Sequence, residues 1–145
     1  MKKILFILLA AIIGCASAQA RKTVSRDINT LPAAARTMIK QNFGKVGVNH
    51  INIDKDLLST EYEVILNNGT EIDFDGDGKW KEVDCGNSAV PAALVMKSIS
   101  NYVKSNYNGS KIVKIERDGK GYEIELLNGV DLKFGPDGRF LKIDD

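Results

Sequence analysis

The residues best placed for chemistry are the carboxylates of Asp73, Asp75, Asp77 and Asp84. Their spacing fits D-x-D-x-D-G with an acid at the twelfth position, the order in which an EF-hand loop presents oxygens to calcium. Calcium takes about six to eight oxygens. The three close-set aspartates would supply several and the backbone carbonyl of Lys79 another. Asp84 stands where the usual ligand is a bidentate glutamate, and its shorter side chain weakens that mode. The expectation is therefore a Ca2+ site built from Asp73, Asp75, Asp77, Lys79 and Asp84. Its affinity would be on the order of 10⁻⁴–10⁻³ M, as in extracellular modules, and it would stabilise a loop rather than drive catalysis. Two features favour a purely structural turn. An EF-hand has helices on both sides, whereas both flanks here alternate like strands. A matched stretch later in the chain carries Lys133, Gly135, Asp137 and Gly138 at the same places, keeping the Asp-Gly turn while losing the acids.

Other reactive side chains are sparse. His50 is the single histidine and lies in a polar strand-like stretch. A nucleophilic Cys–His pair would require it to meet Cys85 across the fold. Glu63, Glu123 and Glu125 read as solvent-facing strand acids. G-x-S-x-G, H-E-x-x-H, C-x-x-C and phosphate-loop motifs are all missing, so no catalytic residue is assigned and an enzyme is not expected. Trp80 sits beside an acidic, polar turn. Because tryptophan is enriched at binding hot spots, it is the expected partner-contacting aromatic, although its in-register match to Phe140 also suits core packing.

The elements that must position these residues occur in two matched stretches. Tyr62 to Asp84 and Tyr122 to Asp144 align without a gap at an offset of 60, with nine of 23 positions identical. Upstream, Leu31-Pro32-Ala33-Ala34 matches Val90-Pro91-Ala92-Ala93. A match at fixed period is the mark of a duplication. Pro32 and Pro91 suit the first turn of a helix. Ala34, Met38 and Ile39, then Ala93, Met96, Ile99, Tyr102 and Val103, lie near helical spacing, with the second helix about a turn longer. Asn42-Phe43-Gly44 and Asn108-Gly109 are helix stops. Val48 to Ile53 and Lys111 to Ile115 look like strands. Tyr62, Val64 and Leu66, and Tyr122, Ile124 and Leu126, alternate with polar partners, as half-buried strands do. Asn68-Gly69 and Asn128-Gly129 are strong hairpin signals. Ile72 and Phe74, with Leu132 and Phe134, form returning strands. Trp80 to Val83 and Phe140 to Ile143 close each copy.

The expected fold is α+β: a tandem repeat of a helix followed by a roughly four-stranded antiparallel meander, helices packed on one face of the sheet. Residues 31–84 form repeat 1, 85–89 a linker and 90–145 repeat 2, in one compact domain preceded by an N-terminal extension, 19–30. A single unit of ~55 residues would be marginal alone.

Residues 1–18 read as a signal peptide: Lys2 and Lys3, an apolar run from Ile4 to Ile13, and a small-x-small site at Ala16-Ser17-Ala18. The run of about ten residues is too short to span a bilayer as a helix. Ile12-Ile13-Gly14-Cys15 also resembles a lipobox, which would anchor the chain through Cys15. Without Lys2 and Lys3 the 20 basic residues become 18 against 19 acidic ones. The near-neutral balance gives no electrostatic case for nucleic acid. Cys85 is then the lone thiol, so no internal disulfide can form.

The LP-helix-YEVILNNG-DFDGDGKWKEVD pattern resembles the PepSY-like family of small secreted Bacteroidetes proteins, over Leu31 to Asp145. Their fold is similar to that of the β-lactamase inhibitory protein. The resemblance implies helix-plus-sheet repeats forming one concave antiparallel sheet, an envelope location (periplasmic, or lipid-anchored through Cys15), and binding or inhibition rather than turnover. No inhibitor contact residue has a match to carry over. An envelope protein or peptide is the expected partner.

Overall fold

The computed structural model describes residues 21–144. The signal-peptide boundary and Cys15 lie outside the described residues. The chain runs β1 (Arg21–Ser25), a 3-10 turn (Ile28–Thr30), α1 (Ala33–Phe43), β2 (Val48–Lys55), β3 (Thr60–Leu66), β4 (Glu71–Phe74) and β5 (Trp80–Asp84). It continues with a second 3-10 turn (Ala92–Leu94), α2 (Lys97–Asn106), β6 (Ile112–Asp118), β7 (Gly121–Leu126), β8 (Asp131–Phe134) and β9 (Phe140–Asp144).

This corrects the expected fold class. The strands form a single nine-stranded antiparallel sheet in chain order, β1 to β9, with two α-helices, and not a tandem repeat of helix plus four-stranded meander. Two physical facts account for the difference. β5 pairs directly with β6, and the connection is stitched to the sheet by Cys85 N–H donating to the Val113 carbonyl and Val90 N–H to that of Ile112. The N-terminal extension also supplies a strand, β1, which pairs with β2 over its whole length.

One cross-sheet row of side chains explains why the strands stay in register. Ile51, Val64, Ile72, Val83, Ile115, Ile124 and Leu132 stand opposite one another from β2 to β8. All are at most 1% exposed. Because strand side chains alternate between faces, a one-residue slip in any strand would move its apolar member into solvent. Ala35, Met38, Ile39 and Phe43 of α1 and Ile99 and Val103 of α2 close the same core. Burial falls on Ala35, one residue past the Ala34 expected.

The second helix also departs from expectation. Pro91 opens only the short 3-10 turn, Val95 is extended (φ −110°, ψ 127°), and α2 begins at Lys97. At ten residues it is shorter than α1, not longer. The buried positions Leu31, Ala35 and Ile39 correspond to Val95, Ile99 and Val103, an offset of 64 rather than 60. The extra four residues return in the β2–β3 hairpin, whose tip is Asp56-Leu57-Leu58-Ser59 where β6–β7 has Gly119-Lys120.

Each helix rests its first turn on an Asp-Gly turn of the sheet. A Cβ on Gly78 would come within 2.9 Å of both the Ala35 amide nitrogen and Pro32 Cβ; one on Gly138 would strike the Ser98 hydroxyl. Gly78 also has φ +85°, a region costly for side-chain-bearing residues. Gly69 has nearly the same φ, +86°, with nothing within 4 Å of an added Cβ. Gly69→Ala should therefore cost about 1 kcal/mol, from backbone strain alone, and Gly78→Ala about 2–4 kcal/mol, because the helix must also shift. Urea unfolding of the two variants measures the difference; equal losses would show that the helix contact contributes nothing.

Candidate functional site

The face of the sheet away from the helices carries a row with the opposite chemistry. Glu63, Asp73, Glu82, Glu116 and Glu123 stand opposite one another on five consecutive strands, β3 to β7. The adjoining row on the same face reads Glu71, Asp84, Lys114, Glu125, Asp131 and Asp144 on β4 to β9. Like charges directly across a strand pair repel. The relief is local. Lys114 Nζ lies 3.1 Å from Glu82 and 3.3 Å from Glu116. Lys133 lies 3.2 Å from Asp144 and 4.0 Å from Glu123. Asn52 donates to Glu63 at 2.9 Å, and the outermost contact, Lys81 to Glu61 at 3.0 Å, is exposed.

Among the described residues no lysine is ion-paired to Asp73, and its carboxyl is pushed up to about 6, by burial first and then by Glu63 and Glu71. Glu82 is pushed up to about 7 by burial, although Lys114 pulls the other way. Burial pushes Lys114 down, but the Glu82 and Glu116 carboxylates that share it raise it overall. Glu71 and Glu123 are also raised, chiefly by burial. The central row is thus a set of carboxylates under mutual strain, and position 73 is where the matched stretch has a lysine, Lys133.

The five residues expected to hold calcium do not converge. Asp75 Oδ1 accepts from the backbone N–H groups of Asp77 and Lys79, each at 2.9 Å. The Lys79 carbonyl accepts from Asp75 N–H. These groups close the β4–β5 turn on itself. The corresponding turn is closed with Gly135 in place of Asp75, Asp137 Oδ1 accepting from Arg139 N–H. Asp73 points onto the open sheet face. Asp84 lies at the far end of β5, opposite Glu71, where it accepts from Gly86 N–H. Four steps along the strand, at about 3.3 Å each, separate it from Trp80. A twelve-residue spacing gathers ligands only when the chain coils; an extended strand carries the last one away. Among the described residues, no three His, Cys, Asp or Glu side chains are grouped to hold a metal ion.

Trp80 is not the exposed aromatic that was expected. It is 8% exposed, opposite Phe74 on the helix side. The Arg117 guanidinium lies 3.8 Å from its ring centroid, and Arg117 Nε donates to the Trp80 carbonyl at 2.7 Å. The bulge between Asp73 and Phe74 sets this register, and its cationic partner, 37 residues on, could not be read locally. His50 and Cys85 do not meet. They lie three strands apart in the sheet order, and Cys85 is buried and bonded to Thr70, its thiol raised by burial.

The features missed by sequence reasoning sit at the β2–β3 tip. Leu57 and Leu58 are 78% and 97% exposed. Asp56 closes this tip, accepting from Leu58 N–H and Ser59 N–H at 2.8 Å each. Beside them is an open hollow of about 540 Å³ lined by Asp56, Glu61, Tyr62, Asp75 and Asp77. The signal was the length mismatch between hairpins, hidden by the gapless alignment of the later strands.

These features can be set against known proteins. The family described as "Putative beta-lactamase-inhibitor-like, PepSY-like" matches residues 18–64 and 60–142. The chain belongs to the PepSY-like family. Three solved structures share its fold. A Bacteroides vulgatus protein described as a "putative periplasmic protein of unknown function" is 48% identical, with a TM-score of 0.82, over 86% of this chain and 100% of its own. A protein from Bacteroides thetaiotaomicron, described as a "putative calcium-regulated periplasmic protein", is 38% identical with a TM-score of 0.80, over 86% and 97%. A further B. vulgatus protein, described as a "putative periplasmic protein", is 39% identical with a TM-score of 0.79, over the same shares. No curated protein matches the chain. Among the described residues, no helix is long and apolar enough to cross a membrane.

The raised carboxyls make the stability of this PepSY-like protein depend on pH. Between the ordinary values of 3.8 and 4.5 and the raised ones near 6 and 7, the folded chain holds protons that the unfolded chain has released. Stability therefore falls as pH rises from about 4 to 7 and levels off above that range. The Tm should be higher at pH 5 than at pH 7.5. Asp73→Asn should raise it at pH 7.5 by the equivalent of about 1–2 kcal/mol and flatten the profile. A profile that rises with pH would contradict the strain assigned to Asp73 and Glu82.

Proposed function

We propose that this PepSY-like protein is a non-enzymatic, periplasmic binding module that takes a cationic segment of a protein or peptide on the open face of its sheet. The observation that carries this reading is the unbroken run of five opposed carboxylates from Glu63 to Glu123. A surface strained by its own like charges gains when a cationic partner covers it, so part of the binding energy comes from relief of repulsion. The exposed Leu57–Leu58 tip adds an apolar anchor at the end of that face. The family's inhibitor-like description supports binding over turnover, and the periplasmic relatives support the compartment.

Calcium tuning is a second reading, favoured by the B. thetaiotaomicron relative's description. Because the EF-hand-type set is dispersed, the carboxylate row is the surface on which an ion would act.

One titration separates the two. The chain from residue 19 onward, titrated with a short oligolysine peptide, should bind in a salt-sensitive way. Glu63→Gln, Asp73→Asn and Glu82→Gln together should weaken binding at least about tenfold, or roughly 1.4 kcal/mol. Equal binding by the triple variant would remove the carboxylate row from the function. A rise in Tm with millimolar calcium, absent in the same variant, would favour the ion.

A further inference from the structure

Among the described residues the sheet ends at two edges, β1 and β9, and β9 is the one whose apolar row is left unfinished. Val83 on β5 is 0% exposed because β6 lies beside it; Ile143, which holds the same place on β9 opposite Leu132, is 52% exposed. On either side of Ile143, Lys142 and Asp144 face the open side of the sheet, where they stand opposite Lys133 and Asp131. At the other edge, β1 carries Arg21, Lys22, Thr23, Val24 and Ser25, so only one apolar residue.

The order Lys142-Ile143-Asp144 is complementary to itself. Suppose a second copy approaches through a two-fold axis normal to the sheet. Its helices stay on the same side, the two β9 strands run antiparallel, and residues directly opposite share a face. Ile143 must then face residue 141, 143 or 145 of the copy. Facing 141 sets Lys142 against Lys142, and facing 145 sets Asp144 against Asp144; both are repulsive. Facing Ile143 completes the apolar row with its own kind and sets Lys142 against Asp144 twice. The charges that protect an edge from indiscriminate pairing thus permit a single register.

We propose that the protein self-associates through β9 into a two-fold dimer in which two nine-stranded sheets become one, with Ile143 at the axis. The contact is a five-residue edge, well below the area of a permanent interface, so the dimer exchanges with monomer. This association does not depend on the open-face reading above, because β9 lies beyond the five-carboxylate row.

A thiol trap tests it. Opposed residues of an antiparallel pair lie about 4.5–5.5 Å apart at Cα, within disulfide range. In the chain from residue 19 onward, with Cys85 buried, Ile143→Cys should form a covalent dimer under diamide, whereas Leu58→Cys, at a more exposed site, should stay largely monomeric. Lys142→Glu added to Ile143→Cys should lose the cross-link, and so should Asp144→Lys added to it. Mixing those two double variants should restore it as a heterodimer, because the mixed pair again sets unlike charges opposite. Circular dichroism checks that each variant is folded. Cross-linking of Leu58→Cys as fast as Ile143→Cys, or no preference for the mixed pair, would overturn the dimer.

Discussion

The structure depends on a single cross-sheet register. Seven side chains from Ile51 to Leu132, each at most 1% exposed, lie in one line across seven strands, and side-chain alternation then fixes what every neighbouring residue faces. The register is not uniform along the strands. Irregularities fall between Val48 and His50, Asp73 and Phe74, Ile112 and Lys114, and Lys133 and Phe134. Those within the β4–β5 and β8–β9 pairs set Trp80 opposite Phe74 and Phe140 opposite Phe134, so both aromatics reach the helix side. There Trp80 finds Arg117, while Phe140 stacks on Tyr102 at 4.4 Å between ring centroids. The same geometric device thus serves a cation–π contact in one place and an aromatic cluster in the other.

The register that seals the apolar row also brings the carboxylates together on the other face. Nothing in the packing requires acids there, since any polar residue tolerates the solvent side of a strand. The acids raise the free energy of the folded state at neutral pH, and the sequence counters this only in part. Lys114 serves two carboxylates, and Lys133 and Lys142 lie toward the β9 edge. The face is therefore polarised, acidic over β3 to β7 and mixed over β8 and β9. Folding alone does not account for a strain that a few substitutions such as Asp73→Asn would remove. The proposed binding role would account for it, because a partner that neutralised the row would recover free energy the fold leaves unused.

Much of the sheet was legible because its signals are local. Alternation marked eight of the nine strands, and Asn-Gly marked two hairpins whose glycines have φ near +86° and +87°. Three things were not local. Strand β1, exposed along most of its length, has no apolar alternation to betray it; it exists because β2 offers an edge. The true start of α2 was masked by the Pro91 match, because an insertion in one hairpin offset a longer lead-in to the helix. The spread of the five expected calcium ligands was not legible for a reason of geometry: spacing along the chain translates into proximity only if the backbone path is known, and the strand between Trp80 and Asp84 carries Asp84 away from the turn.

Comparison of matched positions separates scaffold from function more sharply once the offset changes at the hairpin. Asp75 differs from Gly135 in sequence, yet both close the same turn, so the acid at 75 is a turn-capping choice. Asp73 and Lys133 lie on the same face at the same step of the sheet, and here the difference is one of charge: Lys133 pairs with Asp144 and Glu123, whereas Asp73 adds a further carboxylate to the row. The β2–β3 tip differs in length as well as in chemistry, and its two leucines are held outward by hydrogen bonds that do not involve the leucine side chains. A chain that needed only to fold would gain by shortening that tip to the two residues sufficient at β6–β7. Its placement at the end of the acidic sheet face is what the proposed binding surface would need.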